Sequence, residues 1–536
     1  MPTTAPAPPA ALLLAACALA PAPAAQCALG SFTAADTSAG DSFGQVVAIR
    51  GSDVLVGVPL DDPAGALSGS VQVFAASSQA VFLQSLTAGD AAVGDGFGSA
   101  LALGVDRALV GAPLADGVGF NSGAAYVFER GPSGWSETAV LAPAALAAGD
   151  GFGHAVALSG DRALVGAPFD GGAGAQAGAA YVFERTPAGW ALEAELGAAT
   201  GKASDRFGSA VALDGDVALV GAYLDDDGGL NTGSASLFER GPGGWVQTAQ
   251  LLASARKFGA EFGVAVALSG GRALVGAPGE DAAYVFEEGP GGWSEVARLT
   301  AAAAAAGDDF GRSVALDGDW AAVGAPHRDD LGLSAGAAYL FRRDAAGWGE
   351  AAVLQAAGGA AGDQHGHAVA LSGDRVVSGA WKADAAGTNS GAAHLWRTPG
   401  SGCLSGDVGV LSVAAGGTQA FALEAGAPLG SLPYLLLGSL SGSWPGFPID
   451  GELLPLNVDA YTLTSLLAPN APPLSGSFGV LDAQGQGAAA FSLPPSPALT
   501  ALVGLELNHA FLAVELLPGL LHVPHASNAV PLQLGP

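Results

Sequence analysis

Residues 224–233 read Leu-Asp-Asp-Asp-Gly-Gly-Leu-Asn-Thr-Gly. Clustered carboxylates in a glycine-rich loop suit a hard cation such as calcium, which takes roughly six to eight oxygen ligands from flexible segments. Asp225, Asp226 and Asp227 are therefore the candidate metal ligands. They belong to a longer series: Asp61-Asp62, Asp116, Asp170, Glu280-Asp281, Asp329-Asp330 and Asp384 recur at comparable places. A second series, Asp41, Asp95, Asp150, Asp205, Asp308 and Asp363, falls just before a short glycine-bearing phrase. Three chemistries are open to these carboxylates. They cap turns and keep the chain soluble, they bind cations, or they form a docking face for a basic or polyhydroxylated partner, with or without metal.

Other reactive residues are weaker candidates. Gly-x-Ser-x-Gly, a spacing that can present a nucleophilic serine, occurs at 40–44 and 332–336. Ser42, however, aligns with Gly96, Gly151, Arg206, Glu261, Asp309 and Gln364 in the repeats described below, and Ser334 with Asn121 and Asn231. A nucleophile elbow also needs a strand-to-helix turn, which is not evident here. His365 and His367 lie two apart and would share a strand face as a metal pair, or they mark a degenerate repeat. His522 and His525 are separated by proline, with no cysteine nearby. No base, nucleophile and orienter gather in one stretch, so no catalytic residue is expected.

The elements that must position these groups are legible. Gly44, Gly98, Gly153, Gly208, Gly263, Gly311 and Gly366 follow one another at steps of 54, 55, 55, 55, 48 and 55 residues. A fixed period of this length signals a repeat architecture. Within 152–200, the stretches FGHAVALSG, DRALVGAP, GAAYVFER and GWALEAELGA read as four short strands between glycine and proline turns. Four strands repeated seven times without helices predict an all-β, seven-bladed propeller whose blades bury one another's faces. Phe43, Phe97, Phe152, Phe207, Phe262 and Phe310, with Trp135, Trp190, Trp245, Trp293 and Trp348, are expected to pack between blades. The fifth unit is short by seven, and its loss falls in the loop between strands two and three: Pro278 and Tyr284 are six apart, where Pro168 and Tyr181 are thirteen apart.

The seventh unit lacks its fourth strand, and the template position for that strand also fits the N-terminal segment CALGSFTA. Cys27 and Cys403 map to the same point of the template within one residue, so a disulfide clasping the ring is expected. The expected domains are a leader at 1–25, the propeller at 26–403 and a β-sandwich-like module at 404–536. The leader ends near Ala25 or, through the lipobox-like Leu14-Ala15-Ala16-Cys17, at a lipid-bearing Cys17; both imply export to the medium or the cell surface. Later segments are not long and apolar enough to span a bilayer. A formal net charge of −30 argues against nucleic-acid partners.

The phrase FG…GAP, followed by YVFER or its variants, resembles the FG-GAP repeats of the integrin α-subunit propeller and of secreted bacterial proteins, over about residues 27–403. The resemblance implies a seven-bladed propeller and extracellular adhesion or ligand binding on one face. Calcium-binding integrin repeats carry Asp-x-Asp-x-Asp-Gly-x-x-Asp between FG and GAP. Here the two glycines stand only thirteen positions apart in all seven units, so those calcium sites are not carried over. The reading is of a non-enzymatic, monomeric protein that binds an extracellular protein or glycan through acidic loops. The alternatives are a structural envelope component without a saturable ligand, or a hydrolase using the channel.

Overall fold

The computed structural model describes residues 27–34, 38–76, 81–172, 174–303, 305–356 and 358–399, and beyond residue 402 the strands named below. In the third repeat, Ala155–Ser159, Arg162–Ala167, Ala179–Thr186 and Gly189–Leu196 form one antiparallel sheet in sequence order. The second strand, RALVGA, is buried along nearly its whole length, because the neighbouring blades cover both of its faces. The outermost strand is largely accessible, which matches its charged and polar sequence. Six such four-stranded sheets follow this order, and together with a seventh they close a ring of blades whose first strands line the axis. The fold is the all-β, seven-bladed propeller that the spacing predicts.

The recurrent phrase has a specific mechanical role. In every blade the N–H of the first glycine donates to the carbonyl of the second, thirteen residues on, at 2.9 to 3.3 Å. That first glycine is in the left-handed region, as at Gly153 with φ 92°, where a side chain is strained. The second glycine abuts the next blade: a Cβ on Gly111, Gly166 or Gly379 would meet the carbonyl oxygen of Gly153, Gly208 or Gly44 at 1.9 Å. One glycine thus closes each blade, and the other lets adjacent blades approach. Phe152 beside them is fully buried and meets Tyr181 and Phe183 edge-on at 5.6 and 6.1 Å, within a cluster that spans blades two and three.

β1, Cys27–Phe32, pairs antiparallel with Ala392–Arg397 and completes the seventh sheet, so the ring is closed by strands from both ends of the repeat array. In the fifth blade the shortened loop folds as one 3-10 turn, Pro278–Glu280, and leaves the strands unchanged. Beyond the ring, Cys403–Gly406, Gly417–Glu424, Leu474–Ser475 and Gln486–Leu493 make one sheet. Val410–Ser412, Pro433–Ser439, Phe478–Val480, Glu506–Leu517, Leu520–Ala526 and Val530–Gly535 make another. The packing expected of a sandwich, the leader with Ala25 and Cys17, and the side chains of Cys27, Cys403, His522 and His525 lie outside the described residues.

Candidate functional site

The loops from blade to blade and those between strands two and three share one face, and hydrogen bonds tie them together. The N–H groups of Gly94, Gly149, Gly259 and Gly362 donate to the carbonyls of Ala66, Phe120, Leu230 and Leu333, at 2.9 to 3.0 Å. The opposite face carries tight turns such as Ser159–Arg162, in which two residues connect paired strands. Such a turn has no room for a calcium loop, so the residues between FG and GAP do not fit the family's metal sites.

The predicted aspartates all stand on the loop face, where they fall into two classes. Asp61, Asp170 and Asp225 are buried beneath the loops. Asp170 accepts the Tyr181 hydroxyl at 2.6 Å and the Gly172 N–H at 2.7 Å. Asp225 accepts the Ser234 hydroxyl at 2.5 Å, the Gln250 amide at 3.2 Å and the Asp227 N–H at 2.8 Å. Asp61 accepts from Ser70 and from the Asp62 N–H. In blade five Glu280 takes this place and accepts the Tyr284 hydroxyl at 2.8 Å. Burial, reinforced by these carboxylates, pushes the Tyr181 and Tyr284 hydroxyls above their ordinary range.

The second class closes turns. Asp62, Asp116, Asp226, Asp329 and Asp384 are exposed, and each accepts the N–H five residues on, from Leu67, Asn121, Asn231, Ser334 and Asn389, at 2.7 to 2.8 Å. Every one of those donors has a positive φ, between 50° and 58°. Asp227 pairs with Lys202, and Asp330 with Arg328. The three carboxylates grouped by the sequence as a calcium cage therefore engage different partners. Among the described residues no group of three His, Cys, Asp or Glu is placed to hold a metal ion. The blade-to-blade aspartates also serve the backbone: Asp95, Asp150, Asp205 and Asp308 each accept an N–H three residues back. Burial nevertheless holds them above the usual carboxylate range.

The other candidates resolve as follows. Ser42 is buried in the turn position its repeat assigns, and its hydroxyl donates to the Gly40 carbonyl at 3.4 Å. Ser334 occupies the matching loop turn of blade six. His365 and His367 do not share a face, because the strand starts only at Ala368 and Gly366, at φ 85°, turns the chain between them. His365 replaces the packing phenylalanine, meets Ser378 Oγ at 2.7 Å and stacks edge-on against His394. Burial holds His365 well below the usual imidazole range and His394 at about 4.

His367 instead belongs to a group that sequence reasoning did not assemble, at the mouth of the central channel on the loop face. The mouth opens into a cavity of about 560 Å³ lined by Gln45, Val46, Ser99, Pro113, Leu114, Asn121, Gly149, Gly151, His154, Phe169 and His367, from blades one, two, three and seven. Arg206 lies over the Phe169 ring at 4.3 Å. Next to the cavity, Asp309 meets His327 Nδ1 at 2.8 Å, His327 Nε2 meets Gln364 at 3.1 Å, and Trp381 Nε1 donates to Gln364 at 2.9 Å. Trp381 in turn packs on His367 and carries Lys382 over its ring. Burial first, then Arg206 and Arg312, hold His154 below its ordinary range. Burial and Arg312 hold His367 at about 4, against the Gln45 carbonyl, which favours its protonated form. Both imidazoles are therefore neutral at pH 7.

One signal in the sequence marks this group. The residues before the repeated phenylalanine (Ser42, Gly96, Gly151, Arg206, Glu261, Asp309, Gln364) all have φ between 55° and 66°, yet they share no chemistry. A position that is fixed in conformation and variable in side chain presents different groups to one shared space.

A closed ring of seven four-stranded blades, locked by paired glycines and gathered around an axial cavity, defines a repeat β-propeller. The chain belongs to the FG-GAP repeat family: the family model matches residues 29–74, 81–128, 135–183, 190–238, 245–286, 293–341 and 348–396. No curated protein matches it. Among solved structures it is similar to a protein from Lactobacillus plantarum, at 16% identity over 58% of this chain and 85% of that one, with a TM-score of 0.40. It is also similar to a functionally unknown protein from Desulfotomaculum acetoxidans DSM 771, at 12% identity over 62% and 93%, with a TM-score of 0.39. Chaetomium thermophilum Sqt1 shows 13% identity over 67% and 84%, with a TM-score of 0.40.

Proposed function

We propose that this FG-GAP propeller is an exported, non-enzymatic protein that binds an extracellular protein or glycan through its loop face. The carrying observation is an asymmetry. The loop face exposes large apolar side chains at its tips, including Val93, Phe120, Leu230, Phe258 and Leu333, each at 67 to 74%. Among the described residues the turns of the opposite face expose one such side chain, Val105, and the other exposed apolar groups off the loop face, such as Leu192 and Val246, lie along the outer fourth strands. Exposed apolar groups among polar neighbours mark interaction surfaces, and the hydrogen bonds between these loops pre-organise them, which lowers the ordering cost of binding. Several blades then contribute weak contacts to one wide surface. Export rests on the N-terminal sequence, with release near Ala25 or anchoring at Cys17, and in that setting Cys27 and Cys403 form a disulfide beside the ring closure.

The test presents the chain from Gln26 onward to arrayed glycans and matrix proteins, in calcium and in EDTA. Saturable binding in both buffers supports the reading. Binding lost in EDTA, and lost again on changing Asp225, Asp226 and Asp227 to Asn, would support it with a cation held by those loops. Absence of binding in either buffer overturns it and leaves a structural envelope component.

A further inference from the structure

Blade seven lacks a contact that the other blades make. In five of them a charged loop residue bonds to the third strand: Asp61 to Ser70, Asp170 to Tyr181, Asp225 to Ser234, Glu280 to Tyr284 and Arg328 to Tyr339. In blade two the Tyr126 hydroxyl meets Asp90 from the preceding loop. Blade seven has His394 at the tyrosine position and Ala383 where blade three has Asp170. It has Gly358 in place of Asp90, five positions before Asp363 as Asp90 is five before Asp95. His394 packs on the rings of His365 and Trp396 and makes no hydrogen bond among the described residues. A cavity of about 490 Å³ opens there, with the half-buried His394 in its lining.

The lining defines what this cavity can hold. Gly358, Gly359, Ala360, Ala361 and Ala383 give it a largely apolar wall without bulky side chains, which admits a flat ring. Two carboxylates in the lining, Asp363 and Asp384, already accept the Ala360 and Asn389 N–H groups at 2.8 Å, and their charge disfavours an anion. Lys382 carries its ammonium over the Trp381 ring at 4.6 Å. Thr388 and Asn389 are exposed, whereas His394 is half-buried. Its imidazole is neutral at pH 7, with one nitrogen to donate and one to accept. An aromatic ring with a single hydroxyl matches this set. Blades two, three, five and six carry that same group at the third-strand position, as Tyr126, Tyr181, Tyr284 and Tyr339. We propose that the blade-seven cavity binds a phenol, with the hydroxyl on His394 and the ring against the alanine and glycine wall. The phenol is a free small molecule or the tyrosine side chain of a protein partner. This inference goes beyond the loop-face reading and does not depend on it.

The experiment titrates the chain from Gln26 onward with 4-methylphenol, toluene and N-acetyltyrosinamide, read by calorimetry and by saturation-transfer NMR. 4-Methylphenol should bind about fivefold more tightly than toluene, the worth of one hydrogen bond to a half-buried group. His394→Leu keeps the cavity and removes that bond, so the preference should fall to about twofold or less. His394→Tyr restores the side chain of the other blades and should abolish binding of both probes in a chain that still folds. N-acetyltyrosinamide binding as tightly as 4-methylphenol assigns the site to a partner's tyrosine, and its exclusion assigns a free phenol. Equal affinity for 4-methylphenol and toluene, an unchanged affinity in His394→Tyr, or no binding of 4-methylphenol at millimolar concentration overturns the proposal. Array binding is scored separately, so a failure here leaves the loop-face reading standing, and a failure there leaves this one.

Discussion

The rim and the axis of the loop face both carry polar side chains and use them in opposite ways. At the rim each predicted aspartate is committed to the fold: Asp62, Asp116, Asp226, Asp329 and Asp384 close their own turns, and Asp61, Asp170 and Asp225 tether the loops to the third strand of their blade. At the axis His154 and His367 line one cavity together with Phe169, whose ring carries Arg206. Repetition explains the difference. A rim carboxylate serves a loop that every blade must build, so it recurs. An axial residue faces a cavity shared by several blades, where one imidazole from one blade suffices. Abundance thus marks structure here, and singularity marks the binding candidate.

The largest expected effect strikes both regions at once. Gly166→Ala places a Cβ 1.9 Å from the Gly208 carbonyl oxygen and should cost about 3 kcal/mol or more, by forcing blades three and four apart. Urea denaturation would read it, and a loss below about 1 kcal/mol would show that the ring does not need this lock.

At the rim, Asp225→Ala strands the Ser234 hydroxyl and the Gln250 amide and should cost about 2 kcal/mol, while leaving ligand affinity in the folded fraction unchanged. A parallel loss of affinity would blur the contrast with the axis.

Acidification probes the imidazoles. Unfolded histidine takes a proton below about pH 6.5, whereas His394 and His367 resist protonation until about 4. Their folded-state values are depressed, so the unfolded chain binds more protons between those limits. Stability is therefore greatest above pH 6.5 and falls between 6.5 and 4, by about 2 kcal/mol for a buried imidazole at pH 4.5. Denaturation midpoints at pH 7 and 4.5 should differ accordingly, and less so in His394→Gln; an equal difference in that variant would place the effect elsewhere.

The smallest effect is the sharpest discriminator. Asp116→Ala and Asp384→Ala each remove one exposed turn-closing bond and should cost about 0.5 to 1 kcal/mol with no change in glycan binding. Weakened binding in either variant would move the ligand from axis to rim.

Much of the molecule was legible in its spacing. Seven phrases at a near-constant step, alternating strands and the thirteen-residue gap between paired glycines define blades because each unit writes its own strands and turns locally. The N-terminal strand's place in the seventh blade also followed from counting, since a template position left empty at one end matched a surplus strand at the other. The deletion in the fifth unit was legible for the same reason.

The site was not. Asp225, Asp226 and Asp227 read as one cage because they are adjacent in sequence, but backbone geometry sends them to different partners. His365 and His367 read as a pair until Gly366 turned the chain between them. His154 and His367 stand 213 residues apart, from 367 − 154, and line one cavity. Sequence by itself determined the repeat, its strands and its glycine lock, since these depend on neighbours a few residues away. Only ring closure decided which variable residues meet at the axis, because that meeting depends on contacts among blades that no single repeat encodes.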